Sequence, residues 1–344
     1  MDSEFHAGLP GSDAAIHAQT LVLDSHIDIP WPPRNGGEFA ADTRRCVDLP
    51  KLRRGGVVAA CMAAFIPQGP RDAVGHAASV ARAREMLAHI AAMGGSGTRR
   101  ADTAAAIEAA WRDGVPAVVA CVENGAAIGD DVGNVAALRA LGAIYLTLTH
   151  NGHNALADSA IPRADLGDGA TLHGGLGAFG REAIAEMNRV GMMIDVAHVS
   201  RDAMMQAAAL SRTPVVSTHS CMRALCDHRR NLDDGQLDVL REVGGVVQVT
   251  AVAGFLRQGG KPEVVALADV VDHIEYAVRR IGIDHVGIGS DFDGGGGVVG
   301  WRSAADCPAL TAALLARGFS AQAVGQLWGG NFLRVMRAVE AAAA

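Results

Sequence analysis

Short apolar runs recur along the chain, and segments with the length and composition of helices separate most of them. Eight of these runs predict buried strands, at residues 21–23, 55–65, 115–122, 143–149, 191–197, 214–218, 245–250 and 285–290. Helices are predicted at residues 14–19, 74–93, 102–112, 135–141, 178–190, 201–211, 236–243 and 267–281, with two more near 320–327 and 331–343. Apolar runs that alternate with helical segments in this way indicate a parallel sheet.

Eight parallel strands are the number that closes into a (β/α)8 barrel, so we expect a TIM barrel with extra terminal helices. An open doubly wound sheet is the alternative, but it more often places a glycine-rich phosphate turn after its first strand, and this chain has none there. No linker divides the chain, which predicts one domain over residues 1–344. Residues 294–300 are rich in glycine but lack a Walker lysine, so they predict a mobile loop.

The composition provides ample material for an apolar core. Of the 344 residues, 49% are apolar and 19% are charged, which gives little case for disorder. The formal net charge is -7, and the basic pairs Arg99-Arg100 and Arg229-Arg230 are too short for a nucleic-acid-binding stripe. We therefore predict no nucleic-acid partner.

The cysteines and the N-terminal residues bear on the compartment. None of the six cysteines forms a Cys-x-x-Cys pair, so we expect structural thiols in a reducing compartment and leave a disulfide open. No signal peptide is visible, and no apolar run reaches transmembrane length. These features predict a soluble, cytoplasmic protein without a membrane partner.

Polar residues with catalytic or metal-binding chemistry follow the C-terminal ends of six apolar runs. They are His26, Asp28, Glu123, His150, His198, His219 and Asp291. In a (β/α)8 barrel these ends share one face, where the active sites of the fold lie. Each residue has an ordinary structural alternative: a hydrogen-bonded histidine, or a helix cap in the case of Glu123 and Asp291. Coincidence at six strand ends is hard to sustain, so we predict one shared pocket, and we leave the role of the nearby His153 open.

This set of side chains suits metal ions. Three histidines and two carboxylates are more than one catalytic zinc needs. They predict two metals bridged by a carboxylate, a pair that lowers the pKa of a bound water and polarises a carbonyl. His26 and Asp28 would complete one metal, His198 and His219 the other, and Glu123 would bridge them.

Two further residues have predicted roles in the reaction. Asp291 would accept the proton of the attacking water and pass it to the leaving amine, or else cap a helix or pair with Arg230. Arg230 lies in a loop at the same face, where a guanidinium holds a substrate carboxylate in bidentate fashion. Its alternative is an ordinary solvated arginine. The spacing leaves His150 as either a ligand or a substrate group.

The chain resembles the membrane (renal) dipeptidase family of zinc peptidases. The matching segments are DSHIDIP at 24–30, VENG at 122–125, LTLTHNGHN at 146–154, IDVAHVS at 194–200, VVSTHS at 215–220, RRNLDD at 229–234, HVGIGSDFDG at 285–294 and GGNFLRVM at 329–336. They occur in family order and span nearly the whole chain. Two positions depart from the family pattern: Ile27 replaces the usual Asn, and Asn124 replaces a common Gly. Neither is a ligand, but both can alter the pocket or the hydrogen bonds that orient ligands.

The resemblance implies an amidohydrolase-type (β/α)8 barrel with two zinc ions per chain. It implies the ligand assignment given above, with His150 as a substrate group that stabilises the oxyanion. It also implies that Arg230 binds the C-terminal carboxylate of a small dipeptide, that Asp291 handles the proton, and that a D-residue is tolerated at that end. Homodimers are common in the family, so a homodimer is possible here.

Two other functions compete with the dipeptidase. A metal-dependent deacylase of N-acyl amino acids or related amides would use the same ligands, because an activated water attacks either carbonyl. A barrel that binds a ligand without catalysis is the more remote alternative.

Overall fold

Eight parallel strands form the barrel wall in the order in which they occur along the chain. The computed structural model describes residues 11–29, 36–95 and 97–344. The strands are β1 (Val22–Asp28), β2 (Val57–Phe65), β3 (Arg99–Arg100), β4 (Ala117–Glu123), β5 (Ala143–Thr147), β6 (Met193–Asp195), β7 (Val216–Ser220), β8 (Val246–Val249) and β9 (Val286–Ile288). Neighbours pair in the order β1-β2-β4-β5-β6-β7-β8-β9, and the short β3 pairs with β4 outside this path. Each of these pairings is parallel.

Backbone hydrogen bonds bring the two edge strands together and close the barrel. The amide of Asp28 donates to the carbonyl of Phe292 at 2.9 Å, and the amide of Asp291 donates to the carbonyl of His26 at 3.0 Å. Residues from opposite ends of the chain therefore meet at the C-terminal rim of the barrel. The predicted (β/α)8 barrel is confirmed, and the open doubly wound alternative is wrong.

Helices make the crossovers that parallel neighbours require. They are α1 (Gly11–Ala18), α2 (Gly36–Ala40), α3 (Leu49–Arg54), α4 (Ala73–Met93), α5 (Ala104–Arg112), α6 (Gly133–Ala140), α7 (Ala178–Val190), α8 (Arg201–Leu210), α9 (Asp234–Glu242), α10 (Ala253–Leu256), α11 (Leu267–Ile281), α12 (Cys307–Ala316), α13 (Ala321–Gly325) and α14 (Asn331–Ala342). Helices α7 and α11 have the predicted bounds. The predicted strand at 191–197 contains only β6, because the backbone turns before His198, whose φ is 67°.

The C-terminal part of the chain is more helical than the sequence pattern indicated. Helix α12 was not predicted, because most of its residues are apolar and give no helical period. The two predicted terminal helices are joined by a π-helical turn, Gln326–Gly330. Gly329 lies in this turn, where a Cβ would come within 2.7 Å of the carbonyl oxygen of Leu21. This glycine therefore permits close helix packing and does not end the helix.

The glycine-rich stretch 294–300 is held by backbone hydrogen bonds, contrary to the expected mobile loop. The amide of Gly297 donates to the carbonyl of Ala251 at 3.0 Å, and the amide of Val299 donates to the carbonyl of Val265 at 2.9 Å. Val298 and Trp301 in the same region are fully buried. The glycines allow the chain to turn tightly against the barrel rim, a role that composition alone does not distinguish from flexibility.

Apolar residues cover both faces of the barrel strands. Met62 of β2 belongs to a large buried cluster that includes Met86 and Ile90 of α4. Its neighbour Cys61 points to the other face and belongs to a second cluster that includes Tyr145. Burial on both faces explains why the strands appear in the sequence as short continuous apolar runs.

All six cysteines are free thiols, and five of them are buried, in agreement with the predicted structural role. Among the helices that the structure describes, none is both long enough and apolar enough to cross a membrane.

Candidate active site

The predicted strand-end residues converge at the C-terminal rim of the barrel. Three groups of side chains bring possible metal-binding atoms within 4.8 Å of one another. These groups are His26 with Glu123 and His219, Glu123 with His150 and His198, and His26 with Asp28 and Asp291. The carboxylate of Glu123 and the imidazole of His26 each belong to two groups, so the three groups form one continuous site.

Glu123 lies at the centre of this site. Its Oε1 atom is 3.0 Å from Nε2 of His198, 3.5 Å from Nε2 of His219, 3.8 Å from Nε2 of His26 and 4.0 Å from Nε2 of His150. The residue is 2% exposed. Burial opposes its ionisation, but the surrounding imidazoles lower the pKa of Glu123 well below the ordinary value. A buried carboxylate surrounded by imidazole nitrogens has the position expected of a metal bridge.

Each of the three predicted histidine ligands has its Nδ1 atom occupied by a hydrogen-bond partner. Tyr145 Oη donates to the carbonyl of Ser25 at 2.9 Å, so its contact of 2.8 Å with Nδ1 of His26 is a bond accepted from the imidazole. Thr218 Oγ1 donates to Asp195 at 2.7 Å and accepts from Nδ1 of His219 at 2.9 Å.

Asn151 Oδ1 is likewise 3.3 Å from Nδ1 of His198. In its neutral form with Nδ1 protonated, each ring directs the lone pair of Nε2 to the centre of the site, as metal ligation requires.

The inward-facing atoms fit divalent cations. Nε2 of His198 and Nε2 of His219 are 2.9 Å apart, yet both carry lone pairs, so neither has a proton to share with the other. Nε2 of His26 and Oδ1 of Asp28 are buried and lack a hydrogen-bond partner within the described ranges. Unpaired buried polar atoms are costly unless an ion satisfies them. Imidazoles and carboxylates together are a donor set that binds zinc and other divalent transition metals.

The electrostatics of the site also favour bound cations. Burial and mutual repulsion with Glu123 raise the pKa of Asp28 well above its ordinary value. Burial raises the pKa of Asp291 to about 7, with Glu123 adding to the effect and His26 and Arg230 opposing it. Burial lowers the pKa of His26, but the neighbouring carboxylates outweigh it and raise the value to about 10. Two buried carboxylates and the partly buried Asp28 thus attract positive charge to one cluster, which metal ions would supply.

Asp195 anchors the hydrogen-bond network beneath the site, and sequence reasoning did not identify it. Its buried carboxylate accepts from the hydroxyls of Thr147 at 2.6 Å and Thr218 at 2.7 Å, and from the amides of Ala197 and Thr218, both at 3.0 Å. Burial raises the pKa of Asp195, and these hydrogen bonds oppose that rise. Asp195, Thr218, Tyr145 and Asn151 hold the predicted ligands in place. Asp195 and Thr218 lie within the segments quoted for the resemblance, but they belong to strands β6 and β7 and precede the predicted ligands His198 and His219.

Strained backbone marks the same region. Among the described residues, four that are not glycine have φ in the left-handed region, and three of them are Asn124, His198 and Asp291, with φ of 90°, 67° and 61°. Such conformations cost about 1–3 kcal/mol each and persist only where the surrounding structure fixes them. Asn124 Oδ1 accepts from the amide of Ala126 at 3.1 Å, so it caps the following turn in place of Glu123. The alternative of a capping role for Glu123 is therefore wrong.

Arg230 is buried beside the site and is 3% exposed, so the solvated-arginine alternative is wrong. Its Nη2 donates to the carbonyl of His219 at 3.3 Å, and its guanidinium carbon lies 5.4 Å from the ring centre of Phe255. Burial lowers the pKa of Arg230 to about 10, which leaves the group charged at neutral pH. Its Nε is buried without a hydrogen-bond partner in the described part of the chain. The guanidinium is thus available to an anionic ligand.

Two further histidines lie near the site: His150 lines the pocket, and His153 is structural. The ring of His150 lies 4.6 Å from that of Phe65 and 4.2 Å from that of His198, and its side chain is 23% exposed. His153 accepts from the amide of Ser159 at 3.0 Å and is 3.1 Å from the carbonyl of Gly169. Hydrogen bonds within the loop therefore occupy both ring nitrogens of His153. This residue, whose role the sequence left open, is structural.

Replacing Tyr145 with phenylalanine is expected to weaken metal binding about 10- to 100-fold at the His26 side of the site, because Nδ1 of His26 loses its acceptor. Competition with a chromogenic chelator would measure this as a lower affinity for bound metal. Tyr276 is the only other tyrosine, and its hydroxyl bonds Asp234 on the outer helices, so Tyr276→Phe is the matched control. Equal metal affinity in the Tyr145→Phe and control proteins would contradict the assigned orientation.

Gly294 is required by the close approach of two carboxylates. A Cβ at this position would lie 2.1 Å from Asp28 Oδ2 and 2.3 Å from Asp291 Oδ1. Gly294→Ala is therefore expected to displace these groups and to reduce kcat/KM roughly 100-fold, with loss of bound metal. Gly325→Ala, where nothing lies within 4 Å of the added methyl, is the control. Unchanged metal content and activity in Gly294→Ala would show that the two carboxylates need no fixed separation.

The closed parallel barrel and the carboxylate-centred imidazole cluster define a metal-dependent hydrolase of the amidohydrolase type. A family model described as "Membrane dipeptidase (Peptidase family M19)" matches residues 12–344, so the chain belongs to the membrane dipeptidase family. It is a metallo-dipeptidase, a hydrolase that acts on peptide bonds. The resemblance inferred from the sequence motifs is thereby confirmed.

Relatives support this assignment across nearly the full chain. Dipeptidase tcpJ of Claviceps purpurea is 34% identical over 97% of this chain and 77% of its own length. The crystal structure of the probable dipeptidase PvdM from Pseudomonas aeruginosa is 29% identical, with a TM-score of 0.89 over 96% of this chain and 98% of that one. A metallo peptidase from Rhodobacter sphaeroides, liganded with a phosphinate mimic of the dipeptide L-Ala-D-Ala, is 26% identical, with a TM-score of 0.78 over 93% of this chain and 99% of that one.

Proposed function

We propose that the chain is a zinc-dependent dipeptidase with two zinc ions in one bridged site. The observation that carries this proposal is the ring of four imidazole nitrogens within 4.0 Å of Glu123 Oε1. His26 and Asp28 would hold one ion, His198 and His219 the other, and Glu123 would bridge them. When bound, such a pair lowers the pKa of a water and polarises the scissile carbonyl.

Arg230 positions the substrate. Its buried, charged guanidinium holds the C-terminal carboxylate of the dipeptide through charge-assisted hydrogen bonds, for which its unpaired Nε is free. A carboxylate fixed there places the preceding peptide bond over the imidazole cluster, because Arg230 already contacts the backbone of His219. Longer peptides have no carboxylate at this distance from the scissile bond and would be poor substrates.

Two residues manage charge and protons during hydrolysis. His150 lies over the His198 ring with its side chain partly exposed, where its Nε2–H would donate to the oxygen of the scissile carbonyl as negative charge develops. Asp291 lies opposite, in the group with His26 and Asp28. It would accept the proton of the attacking water and deliver it to the amine that leaves.

The Rhodobacter sphaeroides relative, whose ligand is a phosphinate mimic of the dipeptide L-Ala-D-Ala, supports a proposal about stereochemistry at the C-terminal residue. We propose that this chain hydrolyses L-D as well as L-L dipeptides. A pocket that holds the peptide by its carboxylate and carbonyl constrains the Cα configuration less than a pocket that encloses the side chain.

Substrates with and without a free amine distinguish the dipeptidase from the competing deacylase. The purified, zinc-loaded protein would be assayed on L-Ala-L-Ala, L-Ala-D-Ala and their N-acetylated analogues. We expect the free dipeptides to be hydrolysed and the N-acetyl analogues to be much poorer substrates. Faster cleavage of the N-acetyl compounds would overturn the dipeptidase proposal in favour of the deacylase.

A further inference from the structure

A cleft of about 310 Å³ opens directly from the proposed active site and is lined by an unusual concentration of positive charge. His198 and Arg230 belong to both the site and the cleft. Three more arginines, Arg201, Arg223 and Arg229, line it, and no carboxylate is among its described lining residues. The chain as a whole has a net charge of -7, so this accumulation of arginine is local and opposes the overall balance.

The three additional arginines differ in how far their charge is neutralised. Nε of Arg201 pairs with Asp233 at 2.8 Å, and Nε of Arg223 pairs with Asp227 at 2.8 Å. Arg229 is exposed, and no hydrogen bond or ion pair joins its side chain to another residue in the described ranges. Of these three, Arg229 is thus the arginine whose charge no described carboxylate neutralises, and it is next in sequence to the Arg230 that we assign to the substrate carboxylate.

The rest of the cleft wall also suits an anion on a short apolar stem. Ser200 caps α8 and lines the cleft together with Arg201, so the positive end of a ten-residue helix lies in the wall. Val196, Val199 and Leu232 supply apolar surface, which would contact methylene groups.

We infer that the preferred substrates are dipeptides whose C-terminal residue has an acidic side chain, aspartate or glutamate. Arg230 holds the α-carboxylate, and Arg229 holds the side-chain carboxylate in the cleft. The two carboxylates of such a residue are separated by only a few bonds, which matches two guanidiniums on consecutive residues. This inference rests on the proposed function, because it takes the position of the α-carboxylate from the role of Arg230.

The test compares substrates that are matched in shape and differ in charge. The zinc-loaded enzyme would be assayed on L-Ala-Asp and L-Ala-Asn, and on L-Ala-Glu and L-Ala-Gln, with the C-terminal residue in both L and D forms. L-Ala-Ala is the reference substrate. We expect kcat/KM to favour the acid over its amide about 10- to 100-fold, the worth of one charge-assisted hydrogen bond, and the preference to fall as salt is raised.

The variant Arg229→Gln is expected to reduce the acid-to-amide ratio to near one. The exposed Arg212 precedes β7 at the opposite end of the barrel, so Arg212→Gln is the matched control and should keep the wild-type ratio. Circular dichroism and thermal melting would confirm that both variants are folded.

Two results would overturn the inference while the dipeptidase proposal stands. One is hydrolysis of L-Ala-Ala and L-Ala-Asn with no preference for the acid, and the other is an acid preference that Arg229→Gln retains. Failure of the zinc-loaded enzyme to cleave any dipeptide, L-Ala-Ala included, would instead overturn the proposed function together with this inference.

Discussion

Replacing Glu123 with glutamine is expected to lower kcat/KM by at least about 10³-fold and to release bound metal, since changes merely outside the ligand shell already cost about 10- to 100-fold. The amide has one neutral oxygen where the carboxylate offers two charged ones, so it cannot bridge two cations. Oε1 of Glu123 also lies within 4.0 Å of an Nε2 atom of all four imidazoles, so the loss affects both halves of the site. Metal analysis and steady-state kinetics on the same sample would measure both effects.

The control for this substitution is Glu263→Gln, because Glu263 is exposed and belongs to none of the three groups of possible metal ligands among the described residues. It should retain the metal content and activity of the unchanged protein. A folded Glu123→Gln protein that retains its full metal content and activity would refute the bridging role. Far-ultraviolet circular dichroism distinguishes loss of the site from loss of the fold.

Replacing Arg230 with methionine is expected to reduce kcat/KM for a free dipeptide about 10²- to 10³-fold, which corresponds to roughly 3–4 kcal/mol of transition-state stabilisation. Methionine keeps much of the apolar stem but removes the charge that would face the substrate carboxylate. Nε of the buried guanidinium has no hydrogen-bond partner among the described residues, so we expect the charged group to form its strongest hydrogen bonds with the substrate carboxylate.

A dipeptide amide separates this role from a general disturbance of the site. The unchanged enzyme should hydrolyse L-Ala-L-Ala much faster than L-Ala-L-Ala amide, and Arg230→Met should abolish most of that difference. Arg212→Met, at the opposite end of the barrel, is the control for loss of an arginine. Equal discrimination between acid and amide in the Arg230→Met and control proteins would show that another group binds the carboxylate.

The positions of the predicted ligands follow from the sequence because a parallel barrel places all its strand ends on one rim. His26 and Asp291 are far apart in the chain, yet each follows an apolar run, and the barrel closure joins them through a backbone hydrogen bond of 3.0 Å. The sequence pattern therefore predicted which residues meet without any knowledge of distances. It did not predict how far each imidazole lies from the carboxylate of Glu123, because those distances depend on side-chain rotamers.

The residues that orient the ligands could not be predicted in the same way. Tyr145 lies inside β5 and bonds Ser25, 120 positions away, through the barrel interior. Which interior side chains meet depends on the stagger between strands, and irregular pairing shifts that stagger, as between Asp24 and Ile27 in β1. Asp195 and Thr218 are buried in strands for the same reason, so their sequence context resembles that of ordinary polar strand residues.

The burial of Arg230 was also beyond sequence reasoning. The loop that contains it is polar, and composition favours a solvated arginine there. Its environment is set by Phe255, which follows a different strand and packs against the guanidinium. Loops from separate strands meet only once the barrel is closed, so a single stretch of sequence does not reveal such a pocket.

The metal content and dipeptidase activity of one purified sample test the bridged site most directly. We predict about two metal ions per chain, loss of L-Ala-L-Ala hydrolysis when a chelator removes them, and recovery of activity on addition of zinc. Full dipeptidase activity in protein shown to be free of metal would contradict the bridged site. So would a single bound ion per chain at full activity, because the cluster around Glu123 would then not hold a pair.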